Sequence, residues 1–132
     1  MNLLLDTHGF LWSLFSPAKL SRAVQKEITS PNNDVAVSIV TFWEISLKYA
    51  LGKLELTGVT PEELPDFALQ MNVDIIPITV TEASGFYKMP KLSHKDPFDR
   101  LIIWQAIQRK MTLASKDRSF KVYNEFGLKT LW

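Results

Sequence analysis

Val35–Gly52, VAVSIVTFWEISLKYALG, is the stretch that decides the fold. Its first four residues are uncharged and mostly apolar, the composition of a short buried strand, and they run without a linker into a helical pattern. Ile39, Phe42, Trp43, Leu47, Ala50 and Leu51 trace a stripe of 3.6-residue period, and Gly52 stands where a helix closes in the left-handed conformation. A buried strand that passes directly into such a helix is half of a βαβ unit.

The same alternation extends in both directions. Upstream, Asn2 to Asp6 (NLLLD) is a short apolar run ending in a charge, followed by the helical segment FLWSLF and, after Pro17, a helix opening at Ser21. Downstream, Thr60, Pro61 and Glu63 predict a capping box with proline in the first helical turn, a helix to about Met71, and then a strand from Val73 to Ile78. Thr81 opens a short helix, residues 86 to 95 read as a loop, and Asp96-Pro97 starts a long helix. Phe98, Leu101, Ile102, Ile103, Trp104, Ala106 and Ile107 leave that helix little polar face, which predicts a central position packed on more than one side. Thr112 to Ser115 and Leu128 to Leu131 are the last strands, with a short helix around Ser119 to Glu125 between them. About five short apolar strands separated by helices predict an α/β fold, a parallel sheet covered by helices on both faces. In such a sheet strand C-termini and helix N-termini share one edge, where ligands bind.

Composition narrows the function. A chain of 132 residues, 46% hydrophobic and 22% charged, fits one domain (1–132) and leaves no room for a second. Zero cysteines exclude a disulfide scaffold and any Cys-ligated zinc. Two isolated histidines, His8 and His94, cannot complete a His-rich site, so any metal is expected to be held by oxygen. The N-terminus lacks a basic leader and no apolar run reaches the ~18 residues of a membrane span, which predicts a cytoplasmic protein without a membrane partner. Residues 1–85 hold 5 Lys/Arg against 10 Asp/Glu, whereas residues 86–132 hold 10 against 4. A basic half of this kind suits a polyanionic partner, although a lysine-rich solvated face gives the same count.

Five acids fall at the ligand-binding edge: Asp6 after the first strand, Glu44 in the first turn of the helix after the second, Asp96 and Asp99 at the start of the long helix, and Asp117 after the fourth strand. Singly, each has a structural explanation. Asp96 before Pro97 is a helix N-cap, Asp99 is favoured by the helix dipole by ~0.3 to 1 kcal/mol, and Asp6 and Asp117 can cap the turns or helices after them. Glu44 can close a capping box with Thr41 or pair with Lys48 one turn on. Collectively they need more, because two carboxylates about 5 Å apart repel by roughly 3 kcal/mol at an effective dielectric near 20, more than a helix N-terminus returns. An oxygen-only donor set selects Mg²⁺ or Mn²⁺, and the chemistry such an ion supports is metal-assisted attack of water on a phosphodiester. Phe10, Trp12, Phe15, Trp43, Tyr49 and Trp104 are read as helix-face core, with a protein interface as the other use of that aromatic excess.

At these residues the sequence resembles the PIN-domain ribonucleases, in particular the VapC-type toxins of type II toxin–antitoxin pairs. The segments that carry the resemblance are LLLDTHGFLW, VSIVTFWEISLKYALGKLEL, HKDPFDRLIIWQA, LASKDRSF and the closing LW, in this order along nearly the whole chain. The resemblance implies a three-layer α/β/α PIN-like domain, dimerisation, Mg²⁺- or Mn²⁺-dependent endonucleolytic RNA cleavage and inhibition by an antitoxin protein. It assigns Asp6, Glu44 and Asp99 to the core metal site and matches Asp96 and Asp117 to its more variable acidic positions. Thr41 and Ser115 fall where the family has hydroxyl residues near the site. Together with Lys95, Arg100, Lys116 and Arg118 from the basic half they are the expected RNA contacts, Arg100 having the alternative of pairing with Asp99 or with an acid across a dimer interface.

Other chemistries on a parallel sheet fit less well. A phosphotransfer receiver needs an aspartate ending its third strand, where this chain has Pro77-Ile78-Thr79, and a haloacid-dehalogenase-type phosphatase needs Asp-x-Asp where it has Asp6-Thr7-His8. A catalytically idle RNA- or protein-binding module on the same fold is the remaining alternative, separated from the enzyme by cleavage of RNA with Mg²⁺ and without it.

Overall fold

In the computed structural model, which describes residues 1–132, the five strands are β1 (Asn2–Leu5), β2 (Asp34–Ser38), β3 (Val73–Ile76), β4 (Thr112–Ala114) and β5 (Lys129–Leu131). They form one sheet in the order β3-β2-β1-β4-β5, every pair parallel. The helices are α1 (Thr7–Phe15), α2 (Arg22–Thr29), α3 (Ile39–Ala50), α4 (Leu64–Gln70), α5 (Val80–Gly85) and α6 (Pro97–Arg109), joined by short 3₁₀ turns. This is the three-layer α/β/α arrangement expected from the alternation of short apolar runs with helices. No helix is long and apolar enough to cross a membrane.

The core lies on both faces of the central strand. Leu3, Leu4 and Leu5 are all fully buried, but a strand points successive side chains to opposite sides, so they enter different clusters. Leu4 packs with Val40, Ile102, Ile103, Leu113 and Tyr123, under α6 and the 3₁₀ segment Arg118–Phe126. Leu3 and Leu5 pack with Phe10, Val24, Ile45 and Ala68, under α1, α2, α3 and α4. Burying each leucine contributes roughly 1.5 to 3 kcal/mol, which is why an uninterrupted LLL reads as a parallel strand covered on both faces. In α6, five consecutive residues from Ile102 to Ala106 are buried, and the Trp104 indole N–H donates to the Glu82 carbonyl at 3.0 Å, as a helix packed on more than one side requires.

Boundaries differ from expectation where backbone chemistry intervenes. β3 stops at Ile76 rather than Ile78, because Pro77 has no N–H to extend the ladder. α5 starts at Val80, not at Thr81: Thr79 is its N-cap, its Oγ1 accepting the Glu82 N–H at 3.0 Å while Glu82 Oε1 accepts the Thr79 N–H at 2.9 Å. The segment expected as a helix around Ser119 to Glu125 is a 3₁₀ run, Arg118–Phe126, closed by Gly127 at φ +100°. At the other predicted box, Glu63 accepts the Thr60 backbone N–H at 2.7 Å.

Candidate active site

The parallel sheet delivers all five acids to its C-terminal edge. Asp6 directly follows β1 and caps α1, its Oδ1 accepting the Gly9 N–H at 2.7 Å. A Cβ at residue 9 would sit 2.9 Å from that oxygen, so any larger residue there shifts the Asp6 carboxylate. Asp6 is buried. Burial pushes its carboxyl above the usual carboxylate range, hydrogen bonds from Ser115 and Gly9 oppose the rise, and the nearby charge of Glu44 adds to it.

Glu44 comes from α3 and is also buried. Its Oε1 accepts the Thr7 hydroxyl at 2.6 Å, Thr7 Oγ1 lies 3.1 Å from Thr41 Oγ1, and its Oε2 pairs with Lys48 as the i, i+4 spacing predicts. The capping box expected from Thr41 to Glu44 does not form. Ser38, the last residue with extended backbone, caps α3 by accepting the Val40 N–H at 3.1 Å, which places Thr41 inside the helix. Burial acts to lower the Lys48 ammonium, but its bond to Glu44 and the charges of Glu44, Asp96 and Asp99 outweigh it and hold the group above the usual lysine range.

Asp96 caps α6, its Oδ1 accepting the N–H groups of Phe98 at 2.9 Å and Asp99 at 3.0 Å. Asp99, in the first turn, is pushed up to about 6, chiefly by burial and further by the charges of Asp96 and Glu44, while His94 pulls the other way. Asp117 caps the following 3₁₀ run, accepting the Ser119 N–H at 2.9 Å, and its own N–H donates to Ser115 Oγ at 3.1 Å.

The isolation of His94 in the sequence argues against a place in the site, and the structure brings it in. Its Nε2 lies 3.0 Å from Asp99 Oδ2, and its Nδ1 lies 3.3 Å from Ser119 Oγ, which donates to Asp117 Oδ1 at 2.6 Å. One ligand atom from each of His94, Asp99 and Asp117 falls within 4.8 Å of the others. The one local signal for this is position: His94 precedes the Asp96 cap by two residues, where the chain turns into α6. His8, by contrast, is exposed and leans on Trp12 with ring centroids 5.6 Å apart.

The site therefore has two parts, Asp6 with Glu44 and Asp99 with Asp117, coupled by the charge interaction between Glu44 and Asp99. Among the expected RNA contacts, Lys95, Lys116 and Arg118 are exposed. Within the chain Arg100 makes no ion pair with Asp99: its Nη2 donates to the Pro90 carbonyl at 3.3 Å and its guanidinium lies 5.1 Å from the Phe86 ring centroid. Thr41 is fully buried behind Thr7 and Ser115 is nearly so, and their hydroxyls meet Thr7 and the Asp117 N–H. The expected core aromatics divide as well, Phe10 and Trp104 being buried while Phe15, Trp43 and Tyr49 are exposed.

Buried carboxylates that repel one another are costly unless a cation offsets their charge. Asp6, Glu44 and Asp99 have Gly9, Thr7, Lys48 and His94 as hydrogen-bond partners, yet burial and mutual repulsion still keep the Asp6 and Asp99 carboxyls high. A hard divalent cation suits this oxygen-rich donor set.

Residues 3–125 match the PIN domain family. Ribonuclease VapC22 of Mycobacterium tuberculosis is 27% identical over 129 residues, covering 98% of this chain and 97% of its own. Among solved structures, VapBC2 from Rickettsia felis bound to a DNA fragment from its promoter superposes with a TM-score of 0.71 at 18% identity, covering 99% of this chain and 98% of the other. VapBC-1 from nontypeable Haemophilus influenzae gives 0.67 at 15% identity, covering 99% and 97%. At these identities the two superpositions speak to the fold.

Proposed function

This chain belongs to the PIN domain family, and from that premise we propose that it is a divalent-metal-dependent endoribonuclease, the toxin half of a toxin–antitoxin pair. What supports the reading is a chain of interacting acids at one edge of the sheet: Asp6 and Glu44 feel each other's charge, Glu44 and Asp99 do likewise, and Asp99 shares with Asp117 and His94 a cluster whose ligand atoms lie within 4.8 Å of one another. Its likeness to a ribonuclease over almost the full length of both chains supports the same chemistry.

Asp6, Glu44 and Asp99 would hold Mg²⁺ or Mn²⁺, with Asp96 and Asp117 at its margin. When bound, such an ion neutralises charge on the phosphodiester oxygens and lowers the pKa of the attacking water. The chain's own residues do the rest. Thr7 fixes the Glu44 carboxylate, Gly9 fixes Asp6, and the Asp96 cap sets the first turn of α6 from which Asp99 projects. Lys48 offsets the acids while the site is free of substrate. Lys95, Lys116 and Arg118 meet RNA phosphates that the acids alone would repel, whereas Arg100 would have to leave Pro90 and Phe86 to join them.

Protein partners have their own surface. Ile39, Trp43, Leu47 and Leu51 form an exposed i, i+4 ridge along α3 and beyond, 40 to 60% accessible. A second copy of the chain and a cognate antitoxin are the occupants this reading assigns to the apolar surface, and the cytoplasm is the compartment. The test is cleavage of single-stranded RNA in Mg²⁺ or Mn²⁺: activity lost in EDTA and in Asp99→Asn and Glu44→Gln supports the reading, and wild-type cleavage by Asp99→Asn overturns it.

A further inference from the structure

Beyond Asp117 the acidic edge opens into a groove of about 540 Å³ along the ends of β4 and β5, bordered by Lys116, Asp117, Arg118, Lys121, Leu131 and Trp132. The volume lies within the roughly 300 to 1,000 Å³ of sites that hold small ligands. Its charge is one-sided. Three basic side chains face one acidic side chain, and none of the three takes part in an ion pair, since the pairs formed are Lys48–Glu44, His94–Asp99 and Arg109–Glu82. One wall is aromatic: Trp132 meets Trp12 at 5.7 Å with an interplanar angle of 61°, and Lys116 Nζ lies 5.8 Å from the Trp12 ring centroid. Cations beside an aromatic wall are how single-stranded nucleic acid is held, phosphates by charge and bases by stacking. The groove also shares Ser115 and Asp117 with the candidate site, so the two are contiguous.

We propose that this groove binds the nucleotide next to the cleaved phosphate of single-stranded RNA, with its base stacked on Trp132 and its phosphates met by Lys116, Arg118 and Lys121. The inference rests on the ribonuclease reading and adds what that reading lacks, a residue that recognises the base. A protein segment is the less favoured occupant, because the groove offers three unpaired cations and one indole and has no extended apolar floor.

The experiment is equilibrium binding of labelled oligo(A) and oligo(U) of about 12 nucleotides to the full chain in Ca²⁺, across a salt series. Trp132→Leu keeps apolar bulk against Trp12 and removes stacking. It should weaken oligo(A) by about 5- to 150-fold, the equivalent of one stacked base, weaken oligo(U) less, and leave the salt slope unchanged. Trp132→Phe should restore most of the loss. Replacing Lys116, Arg118 and Lys121 by Gln should flatten the slope of log affinity against log salt by about 2 for both RNAs alike. A measurement on the wild-type protein stands apart from any folding defect: oligonucleotides with abasic residues should bind as weakly to it as oligo(A) binds to Trp132→Leu. Wild-type affinity in Trp132→Leu, indifference to abasic residues, or polyglutamate competing as well as RNA would each overturn the proposal. A protein that cleaves RNA through Asp99 but shows any of these keeps the nuclease reading and loses the groove.

Discussion

His94 and Asp99 face each other across the start of α6, Nε2 to Oδ2 at 3.0 Å, so the segment leading into the helix is tied to the carboxylate in its first turn. The other ring nitrogen reaches Ser119, and the ring packs edge-on against Phe120 at 5.2 Å. His94→Ala removes all three contacts. It should cost about 1.5 to 3 kcal/mol, the range of a hydrogen bond to a charged group, and speed amide exchange in residues 89–96. Unchanged exchange there would show that the bond does not hold the segment.

Asp99 resists ionisation, and this fixes the sign of its effect on stability. Its folded pKa of about 6 stands above the ordinary 3.8, so its contribution is full below about pH 3.8 and lost as pH rises through about 6. Without metal, Asp99→Asn should therefore melt at or above the wild-type temperature near neutral pH and lose that advantage near pH 4. Mn²⁺ at a hundred times its dissociation constant should stabilise the wild type by about 2.7 kcal/mol. Equal Mn²⁺ stabilisation of both proteins would reduce Asp99 to a helix-start residue.

Gly9 tests how tightly Asp6 is placed. A Cβ 2.9 Å from Asp6 Oδ1 must displace the carboxylate, while helical backbone at residue 9 accepts alanine without strain. Gly9→Ala should weaken Mn²⁺ binding in the same direction as Asp6→Asn and leave a folded protein by circular dichroism. Full Mn²⁺ affinity in Gly9→Ala would mean that Asp6 is not a ligand or has room to move.

Glu82 supplies a pH dependence remote from the site. Burial acts to raise its carboxyl, but Arg109, the Thr79 N–H and Gln105 outweigh it and bring it down to about 2. A folded pKa below the ordinary 4.5 gives stability that is complete above about pH 4.5 and disappears as pH falls toward 2. Urea midpoints should fall over that range by the equivalent of about 2 to 3 kcal/mol, and Glu82→Gln should remove most of the slope. Parallel acid profiles for the two proteins would contradict this account.

Much of this architecture is legible in short stretches of sequence because the signals are local. LLLD announces a buried strand and the charge that ends it; Asp96-Pro97 announces a capped helix; Lys48 four residues after Glu44 announces their pair. The edge location of the five acids is legible as well, since a βαβ chain has only one edge where strands end and helices begin. Local reading errs where two neighbouring signals compete, as when Ser38 rather than Thr41 caps α3, or Thr79 rather than Thr81 caps α5.

The alternation of elements, the identity of the edge acids and the segregation of positive charge into the second half are thus properties of the amino-acid order alone. Which side chains serve those acids is a property of the folded chain. Thr7 reaches Glu44 across 37 residues, Ser38 donates to Gln105 across 67, and Trp12 closes on Trp132 from the opposite end of the chain. Those meetings depend on the order β3-β2-β1-β4-β5, which sets the first strand between the second and the fourth. Strand order is chosen by the packing of both sheet faces at once, a global balance that no window of a dozen residues contains.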